Sequence, residues 1–158
     1  MPRRSRAVDR QGNASPDLRY GDKLVSRFVA RLMMKGKKSL AFKIFYDAMD
    51  IIEKEQKDSP IDVFMRAMKN VTPSVQVKPR RVGGATYQVP TEVDARRGEA
   101  LACRWIISSA REKSNIPMNR SLAQEFMNSA KGDSSSVKRR EDTHRMAEAN
   151  RAFVHFKW

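Results

Sequence analysis

Cysteine is nearly missing from this chain: Cys103 is the only one among 158 residues. No intramolecular disulfide can form, and with no signal-peptide pattern at the N-terminus a reducing, cytoplasmic setting is expected. Histidine is almost as scarce, with only His144 and His155. These three candidate ligands have no short paired spacing, so no metal site is expected. No apolar run approaches the ~20 residues that a membrane-spanning helix needs. Met1-Pro2-Arg3-Arg4 lacks the glycine that myristoylation requires, so no membrane partner is expected. Gly83-Gly84 reads as a turn and not as a phosphate cradle leading into a helix, so no nucleotide cofactor is implied. Acidic residues are the other shortage, 18 against 32 Lys and Arg.

That imbalance leaves a net charge of +14 and an isoelectric point near 10.4. Such a field costs stability by self-repulsion, and a polyanionic partner is its usual reason. The length suits one domain with a real core and leaves no room for a second of normal size. Catalytic constellations are absent. Cys103 and His144 could be imagined as a nucleophile and base, but Cys103 adjoins Ala102 on the inner half of a helix, which suits a structural thiol. Glu141 lies within i,i+4 reach of Arg145, and Glu92 and Asp94 read as favourable charges at a helix N-terminus. No enzyme, cofactor or small-molecule substrate is expected.

Apolar periodicity predicts a mainly α fold: about six helices forming one compact bundle-like domain. Residues 1–17, with Arg3, Arg4, Arg6 and Arg10 and few bulky apolar side chains, read as a flexible basic arm. Residues 18–158 form the domain. Asp22 caps a first helix bearing Leu24, Val25, Phe28, Val29, Leu32 and Met33. Gly36 stops it, and Lys37 and Lys38 lead into a second, with Leu40, Ile44, Phe45, Ala48, Met49 and Ile52. Ser59-Pro60 starts a third, closed by Pro73. A fourth is expected from Glu92 to Glu112, a fifth after Pro117 and a last from Val137 to about Asn150, with a loop over 131–136.

Between the third and fourth helices, residues 74–90 read as a protruding two-stranded β-hairpin. Val75 and Val77 alternate with polar residues, as do Tyr87 and Val89. A two-residue Gly83-Gly84 turn sets Val77 and Val89 on opposite faces. A three-residue Val82-Gly83-Gly84 loop pairs Arg81 with Ala85, Pro79 with Tyr87 and Val77 with Val89, and gathers the apolar side chains on one face. The three-residue register is therefore predicted, with Tyr87 packed on Pro79. Pro79 cannot donate to a ladder and suits an exposed ribbon.

Several stretches resemble, in type and spacing, the bacterial-type small-subunit ribosomal protein seven family. They are Asp22-Lys23-Leu24, Phe28-Val29, Gly36-Lys37-Lys38, Ile44-Phe45, the hairpin Arg80 to Pro90, and Lys138 to Asn150 with Phe153 and His155. The resemblance covers essentially the whole chain. It implies a primary binder of small-subunit rRNA that nucleates assembly of the head, the 3′ major domain. It implies a ribbon near the exit-site tRNA and the mRNA path, with ribosomal proteins of head and platform as neighbours. The alternative is a free RNA- or DNA-binding regulator, including a translational repressor of its own mRNA.

Charge and resemblance together nominate Arg3, Arg4, Arg6, Lys35, Lys37, Lys38, Arg96, Arg97, Arg104, Arg111, Lys138, Arg139 and Arg140 for rRNA contact. Arg97, Arg104 and Arg111 repeat every seventh residue and drift only ~20° per step, which makes a nearly straight basic stripe. Arg80, Arg81, Gly83, Gly84 and Tyr87 are nominated for the region near tRNA and mRNA. Trp105 is expected in the core.

Overall fold

The computed structural model describes residues 14–157, so the expected contacts of Arg3, Arg4 and Arg6 lie outside the described residues. Those residues hold six α-helices, one 3-10 helix and one two-stranded antiparallel sheet. The chain divides into two compact units at Lys43 and Ile44.

In the first unit, Asp17 belongs to the segment read as a flexible arm, yet it is buried. Its carboxylate accepts from the backbone N–H of Arg19, Tyr20 and Asp22, at 3.2, 2.8 and 2.8 Å. This local bonding folds the chain back toward α1 (Lys23–Leu32). Asp22 caps that helix as predicted, accepting from Leu24 N at 2.6 Å. Val25, Phe28, Val29 and Leu32 form its buried stripe. Lys35 and Gly36 both take positive φ, 54° and 74°, and turn the chain into α2 (Lys38–Gln56).

The second unit, from Ile44 onward, holds most of α2 and then α3 (Pro60–Val71), β1 (Val75–Val82), β2 (Ala85–Glu92), α4 (Ala95–Glu112), α5 (Met118–Lys131) and α6 (Ser135–Ala149). Its core centres on three phenylalanines from three helices. Phe45, Phe64 and Phe126 meet edge to face, with centroids 5.4, 6.0 and 5.2 Å apart. Such pairs each add about 0.5–1.5 kcal/mol beyond the area they bury. Ile52, Val63, Ile106 and Leu122 complete the apolar shell, with Cys103 buried as expected of a structural thiol.

Helix ends follow local chemistry, with three departures from expectation. Ser59 precedes Pro60 as predicted, but its side chain makes no capping bond. The fourth helix starts at Ala95 and not Glu92, because β2 carries the chain to Glu92 and Asp94 caps α4 by accepting from Arg97 N at 2.8 Å. The loop over 131–136 is shorter than expected. Gly132, at φ 79°, ends α5, and Ser134 caps α6 by accepting from Val137 N. Trp105 is half-buried.

The hairpin stands where it was predicted, but its register does not. Val82 pairs with Ala85, Arg80 with Tyr87, Lys78 with Val89 and Val77 with Pro90, across a two-residue Gly83-Gly84 turn. Both glycines have positive φ, 57° and 83°, the geometry of the type I′ turn that matches the twist of paired strands. Turn geometry therefore outweighed the gathering of apolar residues on one face. Tyr87 consequently lies on the face opposite Pro79, which pairs with Gln88.

Candidate RNA interface

The ribbon separates its two arginines. Side chains alternate along a strand, so Arg80 shares a face with Tyr87, Lys78 and Val89, whereas Arg81 shares the other with Pro79 and Thr86. Arg81 is exposed at the end of β1, next to the glycine turn. Arg80 is half-buried and its Nη1 donates to the Phe156 carbonyl. Phe156 belongs to the C-terminal 3-10 helix, Arg151–Phe156, which lies along β2. There Tyr87 meets Phe153 and Phe156, with centroids 5.1 and 4.8 Å apart. The exposed His155 ring lies 4.2 Å from Phe156. A lone hairpin is marginal in water, and this aromatic cover supplies a partner that the ribbon needs.

The base of the ribbon is tied to α4 and α6. Arg97 Nε donates to Gln76 Oε1 at 3.2 Å, joining α4 to β1. Ser74 N donates to His144 Nε2 at 3.1 Å, joining α6 to the entry of β1. Burial, and next the nearby Arg140 guanidinium, push the His144 pKa below its usual 6.5. Gly98 allows α4 to approach closely: a Cβ there would sit 2.9 Å from Thr72 Cγ2 and 3.1 Å from the Pro73 carbonyl.

The predicted stripe on α4 is present: Arg97, Arg104 and Arg111 are exposed, as is Arg96. On α6 the three adjacent cations diverge. Lys138 is exposed and lines a groove with Lys113, Glu141, Asp142 and Arg145, where both signs mix. Arg139 pairs with Glu112 at 2.6 Å. Arg140 turns inward and donates to the Asn70 carbonyl at 2.6 Å. In the first unit Lys35, Lys37 and Lys38 are exposed at the turn into α2.

Charge is not evenly spread. Asp47, Asp50, Glu53, Glu55, Asp58 and Asp62 fall in one stretch whose only cations are Lys54 and Lys57. Glu53, Glu55, Asp58 and Asp62 are exposed around the turn from α2 to α3. Exposed charge on the α4 stripe has the opposite sign, with Arg96, Arg97, Arg104 and Arg111.

Sequence reasoning missed the polar supports. Asn70 donates to the carbonyls of Ser129 and Ala130, at 2.9 and 3.1 Å. Glu125 is buried, accepting from Ser136 Oγ at 2.6 Å, with Lys113 Nζ at 3.7 Å. Glu125 sits among the apolar positions of α5, beside Leu122 and Phe126, and that placement was the available signal. The Phe153-x-x-Phe156 spacing likewise marked one face of a short helix, without revealing its partner.

Among the described residues no group of three or more His, Cys, Asp or Glu is placed to hold a metal ion. No helix among them is long and apolar enough to cross a membrane.

The family described as ribosomal protein S7p/S5e matches residues 2–151. The chain is 51% identical to the small ribosomal subunit protein uS7 of Syntrophobacter fumaroxidans over 158 residues, covering 100% of both. It is 51% identical to that of Thermotoga neapolitana, over 99% of each chain. Against that of Carboxydothermus hydrogenoformans the identity is again 51%, over 100% of both. With its helical body, its ribbon between α3 and α4, and this agreement along its whole length, the chain belongs to the ribosomal protein S7p/S5e family, whose members are structural ribosomal proteins and not enzymes.

Proposed function

We propose that the chain is a structural constituent of the small ribosomal subunit that binds its rRNA directly and nucleates the head. Its ribbon would lie near exit-site tRNA and mRNA, with other head and platform proteins as neighbours, in the cytoplasm. One observation carries the reading: the exposed arginine stripe of α4 and the ribbon belong to the same compact unit, while the exposed acidic residues cluster on the α2–α3 turn. Cations so arranged neutralise phosphates and release counterions, and a folded RNA is read by shape because its major groove is too deep for side chains. Lys138 extends the cationic surface, and Lys35, Lys37 and Lys38 add a second one. Arg3, Arg4 and Arg6 join them in this reading.

The test has two arms. The tagged protein should co-sediment with small subunits from a lysate. Its affinity for a head-domain rRNA fragment should fall with salt, and Arg104→Ala and Arg111→Ala should each reduce the log–log slope by about 0.7–0.9. Glu55→Lys should not weaken binding. Equal affinity for duplex DNA at matched salt, or slopes indifferent to the α4 arginines, would overturn the reading.

A further inference from the structure

The two arginines at the ribbon tip occupy opposite faces, and only one of those faces is covered. Arg80 shares the covered face with Tyr87, and its guanidinium reaches the Phe156 carbonyl in the C-terminal 3-10 helix. Phe153 and Phe156 stack against Tyr87 from that helix and lie 6.2 Å from each other at 14°. The helix has few other supports. It has no buried residue and no side-chain cap, and it packs mainly on β2. Arg81 points the other way and is exposed.

We propose that Arg80 is a positioning residue that latches the C-terminal 3-10 helix to the ribbon, leaving Arg81 as the tip arginine that meets an RNA phosphate. An arginine suits the latch because its planar fork can bond a carbonyl while its stem lies along an aromatic face. The arrangement makes one composite element of two segments far apart in sequence. It gives adjacent, chemically identical side chains different tasks. The second half of the proposal rests on the RNA-binding reading; the first does not.

The experiment compares Arg80→Ala, Arg80→Lys and Arg81→Ala in the full chain. Ring-to-ring nuclear Overhauser contacts between Tyr87 and Phe156, and amide exchange over residues 151–157, report the latch. Arg80→Ala should lose the ring contacts and speed exchange, while Arg80→Lys restores part of both. Arg81→Ala should change neither. Titrating a tRNA against small subunits rebuilt with each variant, at a series of salt concentrations, reports phosphate contact at the tip: Arg81→Ala should lower the slope by about 0.7–0.9 and Arg80→Ala should leave it unchanged. If Arg80→Ala misfolds the ribbon, Arg80→Lys against Arg81→Lys carries the same comparison, because only the first should perturb the ring contacts. Intact ring contacts in Arg80→Ala, or a slope loss equal to that of Arg81→Ala, would overturn the proposal. If neither the unaltered chain nor any variant enters small subunits, the RNA-binding reading and the role of Arg81 fall together, and the ring contacts still decide the latch.

Discussion

Arg140 Nη1 donates to the Asn70 carbonyl at 2.6 Å, so a cation from α6 closes the last turn of α3. Helix C-termini carry unpaired carbonyls and partial negative charge, which a guanidinium satisfies on both counts. Asn70 in turn holds the C-terminal end of α5. Hydrogen bonds to charged groups contribute about 1.5–3 kcal/mol. Arg140→Met should therefore lower stability by about that amount in urea titrations, with rRNA affinity of the folded fraction little changed. Lost affinity at unchanged stability would instead put Arg140 on the RNA.

His144 accepts from Ser74 N through Nε2, which places its proton on Nδ1 in the neutral ring. Protonation removes that acceptor, and burial followed by Arg140 disfavours the charged form. The native state thus binds fewer protons than the unfolded chain near the ordinary histidine pKa. Its contribution is present above pH 6.5 and is lost as pH falls through the lowered native value. Urea midpoints measured from pH 8 down to 5 should decline on the acid side, and His144→Gln should flatten that decline. A midpoint that rises on acidification contradicts the assignment.

Glu125 is a buried carboxylate that the α6 N-terminus was built around. It takes a hydrogen bond from Ser136 Oγ at 2.6 Å and another from Ser136 N at 3.3 Å. Ser109 Oγ lies 3.2 Å from Ser136 Oγ, so α4, α5 and α6 share the cluster. Glu125→Ala leaves donors without an acceptor and opens a void, and should cost about 2–4 kcal/mol in thermal or urea unfolding. Glu125→Gln, which keeps the volume and an acceptor oxygen, should cost less.

Gly98 illustrates a contest of two effects. Alanine gains about 0.8–1.0 kcal/mol over glycine in a helix. Here its Cβ meets a short β-branched side chain and a backbone carbonyl, Thr72 and Pro73, which cannot swing aside. Overpacking of this kind costs about 1–3 kcal/mol. Gly98→Ala should therefore lower the melting temperature, and Thr72→Ser in the same chain should recover part of the loss. A higher melting temperature for the single variant shows that helix propensity wins.

Helices were legible in the sequence because their signals are local. The cap at Asp22 and the apolar stripes of α1, α3 and α5 all act within a few residues. The stripe on α4 was legible for the same reason. Hairpin register was not, because two rules disagreed. Gathering Val77 with Val89 favoured the longer loop, while Gly83-Gly84 favoured the tight turn, and the tight turn prevailed. The ribbon face that carries Arg80 and Tyr87 is covered by Phe153 and Phe156, a long-range contact without local signature. The inward turn of Arg140 was hidden likewise, since the run Lys138-Arg139-Arg140 marks three cations and says nothing of which carbonyl lies within reach.

The alternation of side chains along the ribbon imposes a parity on how it can change in length. Removing one residue from a single strand below the tip exchanges the faces of the positions beyond it on that strand, so a deletion in β1 turns the inward arginine outward and one in β2 turns Tyr87 away from its aromatic partners. Removing a matched pair, one from each strand, keeps the pairing but turns every rung beyond it to the opposite face, whereas removing two consecutive pairs keeps both the pairing and the faces. The arm therefore keeps its covered and open faces only when it lengthens or shortens by two rungs at a time, and an odd change must be absorbed by a bulge before any RNA is met.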